Sequence, residues 1–150
     1  MAKRFYLVDP WLDPFREIIE ARLARNSERE LLFTGGRSLS DYANGHKWYG
    51  LHRTANGWVF REHAPNAISV TLTGTFTNWK EDEKYRLQRT PEGDWTGEFD
   101  ASLLSHGDLY KMIVRWKGGH GERIPAYVTR TVQDEVTKIF SAQVWHPENA

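Results

Sequence analysis

The chain of 150 residues has no cysteine, which excludes disulfides and thiolate-bound metal and is compatible with a reducing, cytoplasmic setting. It also lacks an excess of charge of either sign, since 20 Lys and Arg balance 20 Asp and Glu. Without a basic field nothing holds a phosphate backbone, so nucleic acid is disfavoured, and without an acidic excess so is a polycation. Long apolar runs are missing too. The run from Phe5 to Val8 is broken by Asp9 and Pro10 too early for a signal peptide, and no later segment approaches the length of a membrane span.

Reactive constellations are also scarce. His46, His52, His63, His106, His120 and His146 stand at no metal-ligand spacing. Glu81-Asp82-Glu83 is a run of neighbouring acids on a polar loop, not a pair facing each other across a glycosidic bond. Gly118-Gly119-His120-Gly121 lacks the Lys-Ser/Thr of a phosphate loop and reads as a hairpin turn. No catalytic residue, metal or cofactor is therefore expected.

Aromatic residues are plentiful: seven Trp, six Tyr and seven Phe make 13% of the chain. One core does not comfortably hold them all, so some are expected to face a partner, a ligand or another domain.

The N-terminal third reads as helical. Asp13-Pro14 predicts a helix start, Phe15, Ile18, Ile19 and Leu23 repeat at helical spacing, and this helix is expected to end near Asn26. Ser27-Glu28-Arg29-Glu30 has the pattern of a capping box, predicting a second helix up to Gly35-Gly36, with a further turn around Leu39 to Ala43. After Asn44-Gly45 the texture changes to short β-like runs: 47–53, 57–62, 67–74, 85–89, 95–99, 109–116, 122–124 and 127–132. Runs at this spacing predict an antiparallel, immunoglobulin-like β-sandwich over residues 45–133, after a helical segment over 1–44 and before a linker over 134–150. In the run from Leu109, Tyr110, Met112, Val114 and Trp116 share one face, and Leu109, Lys111, Ile113 and Arg115 the other.

The stretch Gly74-Thr75-Phe76-Thr77-Asn78-Trp79-Lys80 ends the alternating run Ile68 to Thr73, which is expected to bury Ile68, Val70 and Leu72. It places the largest apolar side chain in a turn. A pyranose has an apolar C–H face and a hydroxyl rim, so it suits an aromatic plate flanked by amide and ammonium groups. Trp79 with Asn78 and Lys80 makes such a set, and Lys111 could reach the same surface from a neighbouring strand. Equally, Trp79 could fold back to cap the sandwich.

The order Asp9-Pro10-Trp11-Leu12-Asp13-Pro14-Phe15, Ser38 to Ala43, Tyr49-Gly50-Leu51-His52, Trp58 to Ala67, Gly74 to Trp79 and Arg123-Ile124-Pro125-Ala126-Tyr127 resembles the N-terminal region of 1,4-α-glucan branching enzymes. The likeness is closest to the eukaryotic-like branch and runs collinearly through nearly the whole chain. It implies an isoamylase-type carbohydrate-binding sandwich, related to the glycogen-binding domain of AMP-activated kinase β subunits, behind the family's usual helical prefix. It further implies a cytoplasmic glycogen-synthesis setting, with α-1,4-glucan and the parent chain's own (β/α)8 barrel as partners. That barrel carries the family's catalytic Asp and Glu and would begin after Ala150, the end at 150 being expected to be a cut end. In the kinase-type domains the turn tryptophan and a lysine on a later strand touch glucan; by motif these are Trp79 and Lys111. Where the family commonly has Arg-Glu-Trp-Ala-Pro and Gly-Asp-Phe-Asn-Asn-Trp, this chain has His63, Thr75 and Thr77 at the differing positions.

Overall fold

The computed structural model describes residues 8–147. It contains a helical unit ending at Asn44 and a β unit beginning at Gly45.

In the helical unit, Asp9 is the cap: its Oδ1 accepts from the Trp11 N–H at 3.0 Å and starts a 3-10 turn over Pro10–Phe15. Asp13, expected at that cap, instead pairs with Arg16. A single helix α1 (Arg16–Thr34) follows, so the expected break at Asn26-Ser27 is absent. No Gly or Pro interrupts the segment, and a Ser-x-x-Glu pattern inside a continuous helix has no free N–H groups to cap. The helix stops where Gly35 turns left-handed at φ 60°. The short helix α2 (Leu39–Tyr42) is capped by Ser38, whose Oγ accepts from the Asp41 N–H at 3.1 Å. Among the described residues no helix is long and apolar enough to cross a membrane.

The β unit has strands β1 (Gly50–Thr54), β2 (Gly57–His63), β3 (Ala67–Gly74), β4 (Gln88–Arg89), β5 (Asp94–Asp100), β6 (Leu109–Trp116), β7 (Gly119–Arg123), β8 (Thr131–Gln133) and β9 (Phe140–Gln143). They form two antiparallel sheets, ordered β1-β2-β5-β4 and β3-β6-β9-β8, with β7 also paired to β6. β6 pairs with β3 along one edge. Its other edge is shared: Leu109 and Tyr110 face β9, whereas Met112 to Trp116 face β7.

Phe60, Val70, Leu72, Tyr110, Met112, Ala142 and Val144 fill the space between the sheets with Trp58, Trp95 and Phe99. The two buried indoles keep their N–H groups satisfied, Trp58 donating to the Leu104 carbonyl and Trp95 to the Ala64 carbonyl, both at 2.9 Å. Buried Glu62 has one carboxylate oxygen accepting from the His63 N–H at 3.1 Å and the other from the Ala126 N–H at 2.9 Å. Both oxygens are thus met by backbone N–H groups.

Two expectations give way here. The sequence predicts a linker over 134–150, yet Phe140–Gln143 is strand β9, and Ala142 and Val144 are completely buried. The signal is weak because its inward residues are a small Ala and one Val. In β3, Val70 and Leu72 are buried as expected, but Ile68 is 65% exposed. A bulge between Ala67 and Ser69 resets the register and turns Ala67 inward in its place. Urea melts should therefore show Ile68→Ser within about 0.5 kcal/mol of the parent. Val144→Ala should cost roughly 2 kcal/mol, from two buried carbons plus the cavity they leave.

Candidate functional site

The turn after β3 is built by small and hydroxyl side chains. A Cβ on Gly74 would stand 2.0 Å from the Leu109 carbonyl oxygen, so only glycine lets β3 and the start of β6 approach this closely. Thr77 Oγ1 accepts from the Gly74 N–H at 3.1 Å and lies 3.1 Å from Thr73 Oγ1, which in turn reaches the Lys80 carbonyl at 3.2 Å. Thr75 Oγ1 donates to Asp108 Oδ1 at 2.8 Å and accepts from the Leu109 N–H at 3.2 Å. Thr75 thus fastens the turn to the start of β6, and Thr77 fastens it to the end of β3.

Asn78 and Trp79 follow in the left-handed region, at φ 52° and 60°. Asn enters this region readily, whereas a bulky Trp there carries strain of about 1–3 kcal/mol. The strain is held by the Trp79 N–H donating to the Gly74 carbonyl at 2.8 Å and the Lys80 N–H to the Thr77 carbonyl at 3.2 Å. As a result Trp79 leaves the core altogether and is 40% exposed.

Behind the turn, Glu81 anchors the loop. Its carboxylate takes the Arg115 guanidinium at 2.5 Å and the Thr71 hydroxyl at 3.3 Å. On the outer side of β3, Ser69, Thr71 under this pair and Thr73 bonded to Thr77 and Lys80 are all buried, although they alternate with core residues. The Arg115 hydrogen bond holds the Glu81 carboxyl below its ordinary value of 4.5. Because the folded value is depressed, the stabilisation is complete above about pH 4.5 and is lost as pH falls through the lowered value. Glu81→Gln should therefore be less stable at neutral pH and show a shallower loss of stability on acidification, read as urea midpoints between about pH 3 and 7.

Trp79 borders an open hollow of about 320 Å³, with Leu109, Lys111, Glu122, Asp134, Thr137, Ile139 and Ser141 as its other lining residues. Lys111 Nζ lies 5.6 Å from the centre of the indole, within reach of a cation–π contact, and 3.0 Å from Glu122 Oε2. Asp134 Oδ1 accepts from the Thr137 N–H at 2.7 Å, the Thr137 hydroxyl at 2.9 Å and the Val136 N–H at 3.0 Å. These donors, Thr137 first, hold its carboxyl below the usual range, so it is ionised at neutral pH.

Of the four residues singled out in the sequence, the fold brings Trp79 and Lys111 together around this hollow. Asn78 and Lys80 are exposed in the same turn but do not line it. Glu122, Asp134, Thr137 and Ile139 were missed. Glu122 sits in a segment read as a hairpin strand, and the others in the segment read as linker; only the alternation of β6 with β7, combined with strand β9, would have placed them here.

His63, at the family's tryptophan position, takes a polar role: its Nδ1 lies 2.7 Å from Asp94 Oδ1, and the Tyr49 hydroxyl reaches both Asp94 oxygens at 3.1 Å.

The profile of carbohydrate-binding module 48, the isoamylase N-terminal domain, matches residues 48–128. The chain belongs to this family. The module is 29% identical over 147 residues to a 1,4-alpha-glucan-branching enzyme of Dictyostelium discoideum, covering 93% of this chain and 21% of that enzyme. The Yarrowia lipolytica branching enzyme is 31% identical over 147 residues, with 93% and 21% covered. The module thus spans about a fifth of the length of the curated relatives it matches. Its fold recurs in type I pullulanase of Bacillus subtilis, in a structure complexed with maltose, at 20% identity and a TM-score of 0.52, covering 76% of this chain and 15% of that one. The family match ends at Val128, before β8 and β9, yet β9 completes the core and the β8–β9 loop walls the hollow.

Proposed function

We propose that this chain is a non-catalytic α-glucan-binding module serving a 1,4-α-glucan branching enzyme, with Trp79 as the stacking platform and Lys111 as the flanking donor. The observation that carries this is the Trp79–Lys111 pair over an open hollow in a member of a carbohydrate-binding family. An indole face matches the apolar side of a glucose ring, and the carboxylates and ammonium at its edge match the hydroxyl rim. Asn78 and Lys80, exposed beside the platform, would contact a longer chain running past the hollow. The module would keep glycogen or starch near a catalytic barrel that makes α-1,6 branches in the cytoplasm.

Magnitude favours this tethering role. One stacking contact and a few net hydrogen bonds of about 1 kcal/mol each give about −4 to −5 kcal/mol, a dissociation constant near millimolar. Such weak contacts matter when multiplied along a polymer. Titration with maltoheptaose or β-cyclodextrin, followed by NMR, should shift the Trp79 indole and the β6 amides around Lys111. Trp79→Ala should abolish the shifts with the fold intact. Unmoved signals in the parent at tens of millimolar ligand would refute the reading.

A second reading, a structural domain that packs on the barrel, is favoured by Trp48, Trp116, Tyr127 and Trp145, all at the surface of the β unit. It predicts concentration-dependent self-association of the separate chain in sedimentation velocity, weakened by Trp145→Ser. A monomer at every concentration tested would speak against it.

A further inference from the structure

The charged side chains lining the Trp79 hollow are Lys111, Glu122 and Asp134. The one cation among them is already engaged. Lys111 Nζ stands 3.0 Å from Glu122 Oε2, with its side chain only 13% exposed. This pair follows from register: Glu122 is opposite Ile113 in the β6–β7 ladder, so Lys111, two residues along the same outer face, is its diagonal neighbour. Glu122 thereby fixes the ammonium beside the indole. On the β8–β9 loop, Glu135 and Lys138 pair with each other at 3.7 Å and add no net charge. Two carboxylates against one ammonium leave the hollow with a formal charge of 1 − 2 = −1.

A neutral hexose suits such a site, because its hydroxyls donate to carboxylates and accept from an ammonium. A glucose unit bearing a phosphate does not. Its anion would enter beside two fixed carboxylates and a cation whose charge is already compensated, and like-charge juxtaposition discriminates between otherwise similar ligands.

We infer that Glu122 is a positioning and specificity-determining residue, which holds Lys111 beside the Trp79 ring and, together with Asp134, makes the hollow select neutral α-glucan over phosphate-bearing glucan. The inference rests on the hollow being a glucan site.

The test titrates the full chain with maltoheptaose and, separately, with a malto-oligosaccharide of equal length carrying 6-phosphates, at low and at physiological salt, following the Trp79 indole resonance. The parent should bind the phosphorylated ligand roughly tenfold more weakly than the neutral one, and added salt should narrow the gap by screening the repulsion. Glu122→Gln, a near-isosteric change at a half-exposed strand position, removes one carboxylate and frees the ammonium. Phosphorylated ligand should then bind several-fold tighter than to the parent, with its salt dependence largely lost because Lys111 and Asp134 balance each other. This loss of salt dependence is a readout that a merely structural role for Glu122 would not move. Equal binding of both ligands by the parent, or an unchanged preference and salt response in Glu122→Gln, would overturn the selectivity while leaving the glucan site standing. If neither ligand moves the Trp79 indole, the glucan reading fails and this inference with it.

Discussion

Everything at the candidate site depends on the two faces of strand β6. Its alternation sends Tyr110 and Met112 into the core and Lys111 and Arg115 outward, so one segment of eight residues both holds the sandwich together and supplies the cations of its outer surface. Phe60 meets Tyr110 edge to face at a centroid distance of 6.5 Å, joining the two sheets. A register slip of one residue would bury Lys111 and expel Tyr110, a cost large enough to fix the strand. The hydroxyl of Tyr110 is itself pushed far above its ordinary pKa by burial and stays neutral.

This explains why parts of the molecule were readable in the chain and others were not. The alternation of β6 is strong, and its range and two faces follow from the residues alone; the same holds for the inward Val70 and Leu72. Ile68 misled because a bulge is a local change of register that leaves no mark in hydrophobicity. Strand β9 was hidden because Ala142 and Val144 offer little apolar contrast against Ser141 and Gln143, and their burial comes from what β6 and β8 place around them. The helix break failed for a different reason. A capping pattern marks a helix start only where the backbone N–H groups are otherwise unmet, and inside α1 they are already bonded. At the site, Trp79 and Lys111 could be named from side-chain chemistry and motif. Glu122 and Asp134 could not, since their proximity is a product of strand pairing and loop return.

The turn after β3 is held by hydroxyl side chains and backbone hydrogen bonds. Thr77 bonds back to Gly74 and Thr73 within a few residues, whereas Thr75 reaches across to Asp108 and Leu109. What they maintain is the consecutive left-handed pair Asn78 and Trp79, which turns an indole out of the sandwich. The unfavourable backbone at Trp79 persists because surrounding hydrogen bonds over-determine it.

The hand-over along β6 has a wider meaning for how the site can vary. β9 leaves the strand at Tyr110 and β7 joins it at Met112, so Lys111 stands in the notch between two departing ribbons. The hollow is thus a gap in pairing, shaped by hairpin lengths as much as by the groups that line it. Lys111 is the one residue on that edge of β6 between the two ladders, with Ser141 of β9 beside it in the lining.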